Sequence, residues 1–233
     1  MERKPRPLID LLLSIVIPSI ILMKFSDADE LGASGALVVA LAFPVGLGLY
    51  ELMRFRNTNY IALLGLISVL LTGGIGLLQL DAQWLAVKEA AIPALLGVAV
   101  LISARLGYPV IRLLLYNPKI LDTERISTIL RARGQEAVFE NRLLSATYLL
   151  GATFFFSAVM NYLLASWIVV SPAGSAAFNE ELGRLTLISY PVIAIPSMLM
   201  MLGIFYILWR NLHRLTGLAL EEIMAPLLVD NQK

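Results

Sequence analysis

The sequence predicts an all-α, polytopic membrane bundle of six transmembrane helices with both termini cytoplasmic. Three observations carry that expectation. Of the 233 residues, 58% are hydrophobic and only 15% charged, whereas an ordinary soluble domain carries about 25% charged residues. Six apolar runs approach or exceed the ~20 residues a helix needs to cross the hydrocarbon core. Basic residues fall on alternate sides of those runs in one consistent sense.

The runs cover residues 8–25, 32–53, 60–80, 85–106, 143–170 and 185–212. They are expected as helices because the core offers no water, so each peptide group must bond within its own segment. Runs such as Leu63–Leu71 lack the alternation that barrel strands show. The first run exceeds a signal-peptide core of roughly 7–15 residues. It leads into Lys24 and the acidic Asp27–Glu30 stretch, so it reads as an uncleaved span. With the chain starting inside, only Lys24, Lys88 and Arg184 of the 18 lysines and arginines fall outside, and the outer loops collect acids such as Asp81, Glu180 and Glu181.

Between spans four and five lies a cytoplasmic amphipathic connection, 107–141. Tyr108–Tyr116 is apolar with one arginine and is expected along the inner interface. Asp122 is placed to cap a helix with Ile126, Ile129, Leu130 and Val138 on its apolar side, and Gly134 to divide it. This segment reads either as a docking surface for a partner or anionic headgroups, or as a basic loop folded onto the membrane.

Ionisable and strongly polar groups inside spans are costly, which makes them candidates for function. Asp10 stands near the inner end of span one, with Ser14 and Pro18 following on its face; Glu51 closes span two. Lys88 and Glu89 open span four from outside, and Glu89, Pro93 and Gly97 align. Asn161 lies deep in span five with Ser157 and Thr153 behind it. Each has a structural alternative: a headgroup anchor for Asp10, outward snorkelling for Lys88, a staple between Lys88 or Arg184 and Glu180 or Glu181, and an interhelical hydrogen bond for Asn161. Pro18, Pro44, Pro93, Pro191 and Pro196 are expected to kink their helices, and such breaks can build mid-membrane sites. The small residues Gly65, Ser68, Thr72 and Gly76 face one way on span three, as close helix packing requires. An acid followed by proline in spans one and four is also what a 3+3 inverted repeat would produce.

No catalytic, cofactor or metal site is expected. The chain has no cysteine and one histidine, His213, so thiolate chemistry and histidine-rich metal sites are excluded. The Gly32–Gly35 stretch matches the G-x-S-G pattern of rhomboid proteases, but the topology sets Ser34 and His213 on opposite faces of about 30 Å of hydrocarbon, too far for a dyad that needs contact at about 3 Å. A net charge of +1 gives no reason to expect a nucleic-acid partner.

Several stretches resemble the bacterial intracellular septation protein A family, the inner-membrane-spanning proteins, and in particular an uncharacterised group of its relatives. They are Leu70–Leu78 (LLTGGIGLL), Trp84 with Lys88, Tyr108–Leu115 (YPVIRLLL) and Phe154–Ala165 (FFFSAVMNYLLA). The resemblance implies a multi-pass protein of the cell inner membrane, non-enzymatic, involved in envelope maintenance or division through membrane-protein partners or self-association. The alternative reading is a small transporter or channel whose path is lined by Asp10, Glu89 and Asn161.

Overall fold

The computed structural model describes residues 11–55, 60–118 and 121–224, and for 51–66, 115, 220 and 221 within those ranges the backbone alone. The elements are α1 (Leu12–Lys24), α2 (Gly32–Phe55), α3 (Tyr60–Leu77), α4 (Gln83–Arg105), α5 (Val110–Leu115), α6 (Thr123–Ala132), α7 (Glu136–Ile168), α8 (Ala176–Ser189), α9 (Ile195–Thr216) and α10 (Leu220–Ile223). Among the described residues there is no strand, only an antiparallel bridge between Leu121 and Met224. Among the described residues, four stretches are long and apolar enough to cross a membrane: Gly32–Tyr50, Gln83–Arg105, Glu136–Ile168 and Ala176–Thr216. Leu12–Lys24 and Ile67–Leu77 are apolar stretches that each lie next to residues, or side chains, outside the described ones. The all-α class and multi-pass membrane character therefore stand.

Proline explains where the winding changes. Leu12–Val16 and Tyr190–Ala194 are wound as π-helix, the first ending two residues before Pro18 and the second containing Pro191 and ending two before Pro196. A proline ring clashes with the carbonyl four residues back and offers it no N–H; the wider π turn relieves both. Pro44 and Pro93 sit inside continuous α-helix.

Three boundaries differ from expectation. α7 starts at Glu136, well before the apolar run begins, because its polar first turns continue the same helix. The outer loop before the last span ends at Ser175, whose side chain accepts from the Phe178 N–H and caps α8, so Glu180, Glu181 and Arg184 are helical. In the amphipathic connection Asp122 caps α6 by accepting from Arg125 N–H, while Gly134 ends it in the left-handed region at φ +66°, with Gln135 N–H donating to the Leu130 carbonyl. That turn resets the helical phase. Ile126 and Leu130 are buried, but Val138 falls on α7 and is exposed.

The chain packs as two compact units, Met1–Ala91 with Val159–Ala194, and Ile92–Ala158 with Ile195–Lys233. The division does not fall between the third and fourth apolar runs. In the first unit α1 lies against α8 and α2, and α2 against α3. Leu37, Leu85, Phe178 and Leu182 fill its core. Gly183 permits the α1–α8 approach: a Cβ there would stand 2.8 Å from the Ser19 carbonyl oxygen. Asn179, fully buried, donates to Ser26 Oγ at 3.0 Å and to the Ala33 carbonyl at 2.7 Å, tying α8 to the α1–α2 connection.

The core of the second unit gathers Ile111, Ile126, Leu143, Leu150, Ile204 and Leu208. A Cβ added at Gly97 of α4 would stand 3.1 Å from the Phe155 ring of α7, so the glycine permits a small-residue contact of the kind membrane helices use. The far end of the unit is closed by α10. Asp122 N–H donates to the Ile223 carbonyl at 2.9 Å. Glu222 accepts from Ala219 N–H at 2.9 Å and from Arg125 at 3.0 Å.

Two outcomes follow from these contacts. Gly183→Ala should destabilise the first unit by about 1–3 kcal/mol, the usual cost of overpacking, visible as a lower thermal midpoint in detergent. Gly46→Ala, where an added Cβ meets nothing within 4 Å, should not lower it. The Ala219 N–H bond, helped by Arg125 against some desolvation, holds the Glu222 carboxyl below its ordinary 4.5. Its contribution is therefore present above that value and is lost as pH falls through the lower folded one. Exchange protection of the Asp122 amide should hold at neutral pH and fall only after the pH has dropped below the ordinary 4.5, and Glu222→Gln should flatten that dependence.

Candidate functional site

A lysine on the apolar face of a membrane helix must either reach headgroup water or find partners for three N–H donors. Lys88 takes the second course. Its side chain is only 8% exposed, and its ammonium donates to Thr72 Oγ1 at 2.7 Å and Ser68 Oγ at 3.3 Å on α3. The third partner is Glu89 Oε1 at 2.6 Å, on a side chain 29% exposed. Thr72 in turn donates to the Ser68 carbonyl, which orients its oxygen lone pairs toward the lysine. The snorkelling expected of Lys88, and its pairing with Glu180 or Glu181, are not what the structure contains. Arg184 does pair with Glu180, at 2.8 Å. Glu181 instead accepts from Val170 N–H, Ser171 N–H and the Ser171 hydroxyl.

Around the pair lies a cavity of about 180 Å³. Its polar lining is Lys88, Glu89, Ser14, Ser19, Ser68, Thr72 and Thr186, and Pro18 and Pro44 stand among the apolar groups that complete it. All of these belong to the first unit. At a rise of 1.5 Å per residue, Lys88 is roughly 8 Å along α4 from Gln83, and Pro44 roughly 18 Å along α2 from Gly32. The cavity thus reaches from the second turn of α4 to the middle of α2. The Ser19 hydroxyl is buried with no hydrogen-bond partner among the described residues, a state that costs free energy.

The structure gathers five of the expected residues here: Ser14, Lys88 and Glu89 with the prolines Pro18 of α1 and Pro44 of α2. Asn161 and Ser157, both half-buried on α7, are not among the lining residues; each has an interaction of its own. Pro93, Pro191 and Pro196 do not line the cavity either. Asp10 lies outside the described residues, as does the side chain of Glu51. Ser19, Thr186 and the buried Asn179 carried no sequence signal, since isolated hydroxyl and amide groups in apolar runs are common. Ser68 and Thr72 were visible as a small-residue stripe, and their second use as lysine acceptors follows only from the placement of α4. Among the described residues no three of His, Asp and Glu converge to hold a metal ion.

Comparison with family models, with curated proteins and with solved structures finds no match.

Removing one member of a buried ion pair leaves the other uncompensated, which costs more than removing both. Lys88→Met should lower the thermal midpoint, and Lys88→Met/Glu89→Gln should recover part of the loss. Equal or additive losses in the two variants would argue against coupling.

Proposed function

We propose that the chain is a six-span membrane protein with both termini cytoplasmic, acting as a small transporter or channel whose polar solute or ion occupies the Lys88 cavity. One observation carries the reading. An apolar bundle keeps a lysine ammonium, a carboxylate and a cluster of hydroxyls around open space, with one hydroxyl still lacking a partner. For stability alone, well-packed hydrophobic side chains of similar volume would serve as well as a buried pair; polar groups facing a cavity inside a span are the usual mark of a pathway. The proline-relieved winding of α1 next to Ser14 is the kind of irregular backbone that membrane proteins tolerate where it borders such a space. The six-span topology rests on the placement of the 18 basic residues, and the inner membrane on the same bias together with the family resemblance.

A second reading is a non-enzymatic role in envelope maintenance or division. It is favoured by the exposed arginines of α6 and the turn after it, with Arg131 at 76% exposure, which suit contact with acidic partners or headgroups.

The absence of native cysteine gives a clean test of the first reading. Ser19→Cys, Ser14→Cys and Thr186→Cys should react with a charged, membrane-impermeant thiol reagent, and Val38→Cys, on an exposed apolar position, should not. In liposomes carrying the protein, flux of protons, alkali cations or halide should exceed that of empty vesicles for at least one species, and Lys88→Met should reduce it about tenfold or more, as losing a central polar contact does. Cavity cysteines silent from both sides would sink the pathway. The topology has its own check, since Arg131→Cys should label only from the cytoplasm.

A further inference from the structure

The second unit contains an apolar cavity of about 380 Å³ near the start of α7 and the basic end of α9, walled by Leu143, Phe205, Leu208 and Trp209 and closed by Ile223 and Met224. Tyr116 lines it and also lines a neighbouring recess with Arg112, Asn117 and Thr123. Tyr116 thus stands between an apolar chamber and a recess bearing a cation. Two buried donors in this region have no acceptor among the described residues, the indole N–H of Trp209 in the chamber wall and the Nε–H of Arg112 in the recess. Arg112 is paired with Glu140 through a different nitrogen. Around the entrance, Leu113, Leu114 and Tyr206 are exposed apolar groups, and Arg210 and Arg214 follow Trp209 along α9 in the aromatic-then-basic order found at membrane surfaces.

We infer that this is a binding site for an anionic glycerophospholipid of the adjoining leaflet, one acyl chain in the apolar chamber and the phosphate against Arg112. An acyl chain matches a chamber walled by aliphatic and aromatic carbon and continuous with lipid-facing side chains. The headgroup phosphate supplies acceptor oxygens to the guanidinium of Arg112, whose side chain is 42% exposed. Charge complementarity selects an anionic headgroup over a zwitterionic one: Arg112, Arg125 and Arg131 are each paired with a glutamate, but Arg142, Arg210 and Arg214 have no carboxylate partner among the described residues and leave this end of the unit with surplus positive charge.

The chain holds three tryptophans, and Trp84 and Trp167 are both exposed, so Trp84→Phe/Trp167→Phe leaves Trp209 as sole reporter. In phosphatidylcholine vesicles, phosphatidylglycerol with brominated acyl chains should quench Trp209 in a saturable manner at a low fraction of total lipid. Brominated phosphatidylcholine should quench only in proportion to its share. Arg112→Gln should raise the half-saturating fraction about fivefold, the effect of one basic residue at an anionic surface. Quenching by the two brominated lipids that is equal and proportional to mole fraction overturns the site, and that comparison needs no further variant. An unchanged half-saturation in Arg112→Gln overturns the assignment of the headgroup to Arg112.

Discussion

The rest of the first unit is arranged around a single charge that has no water to go to. Once Lys88 is turned inward from α4, its ammonium needs three acceptors, and each constrains a neighbour. Ser68 and Thr72 must stand one turn apart on α3, which sets the rotation of α3 against α4. Glu89 must curl back along its own helix, although adjacent residues on a helix do not ordinarily face each other. The two side chains are long enough to meet at 2.6 Å all the same. With the polar atoms so committed, the remaining contacts of α1, α2 and α8 close round the open space rather than fill it.

That arrangement depends on close backbone approach elsewhere. Without a hydrophobic drive between helices in lipid, packing and hydrogen bonds must hold them. Gly183 lets α1 come against α8, and Asn179 ties α8 to the chain just after α1 through Ser26 and to the first turn of α2 through Ala33. Neither touches the cavity, yet both set how near Ser14 and Ser19 of α1 come to Thr186 of α8. The second unit solves the same problem with Gly97 and Gly151, where α4 and α7 meet through ring and leucine contacts.

Much of this was legible in the residues, and the reasons for what was not are specific. The helical class, the apolar runs, the Asp122 cap and the Gly134 break follow from local rules of solvation and capping, which need no knowledge of neighbours. The helix through Glu180–Arg184 was hidden because charged residues beside a Pro–Ala–Gly–Ser stretch resemble a loop, whereas the Ser175 cap outweighs them. Val138 was assigned to the wrong face because periodicity was carried through Gly134. At the cavity, Ser14, Lys88 and Glu89 stood out as polar groups where lipid should penalise them. Asn161 stood out equally and lines no part of the cavity, because polarity along a helix does not say which way that helix turns. Ser19 and Thr186 were beyond reach for the same reason.

The bridge between Leu121 and Met224 has a consequence for how the second unit is made. A ribosome adding about 5–20 residues per second delivers Met224 some 5–20 seconds after Leu121. For most of that interval the α9 wall, Phe205 to Leu212, is also still to be made, so Tyr116, Leu121 and Phe139 face acyl chains until α9 and then Met224 arrive. Lipid tails are on hand to enter before the protein's own wall arrives, so an occupant would be enclosed during synthesis rather than admitted afterwards.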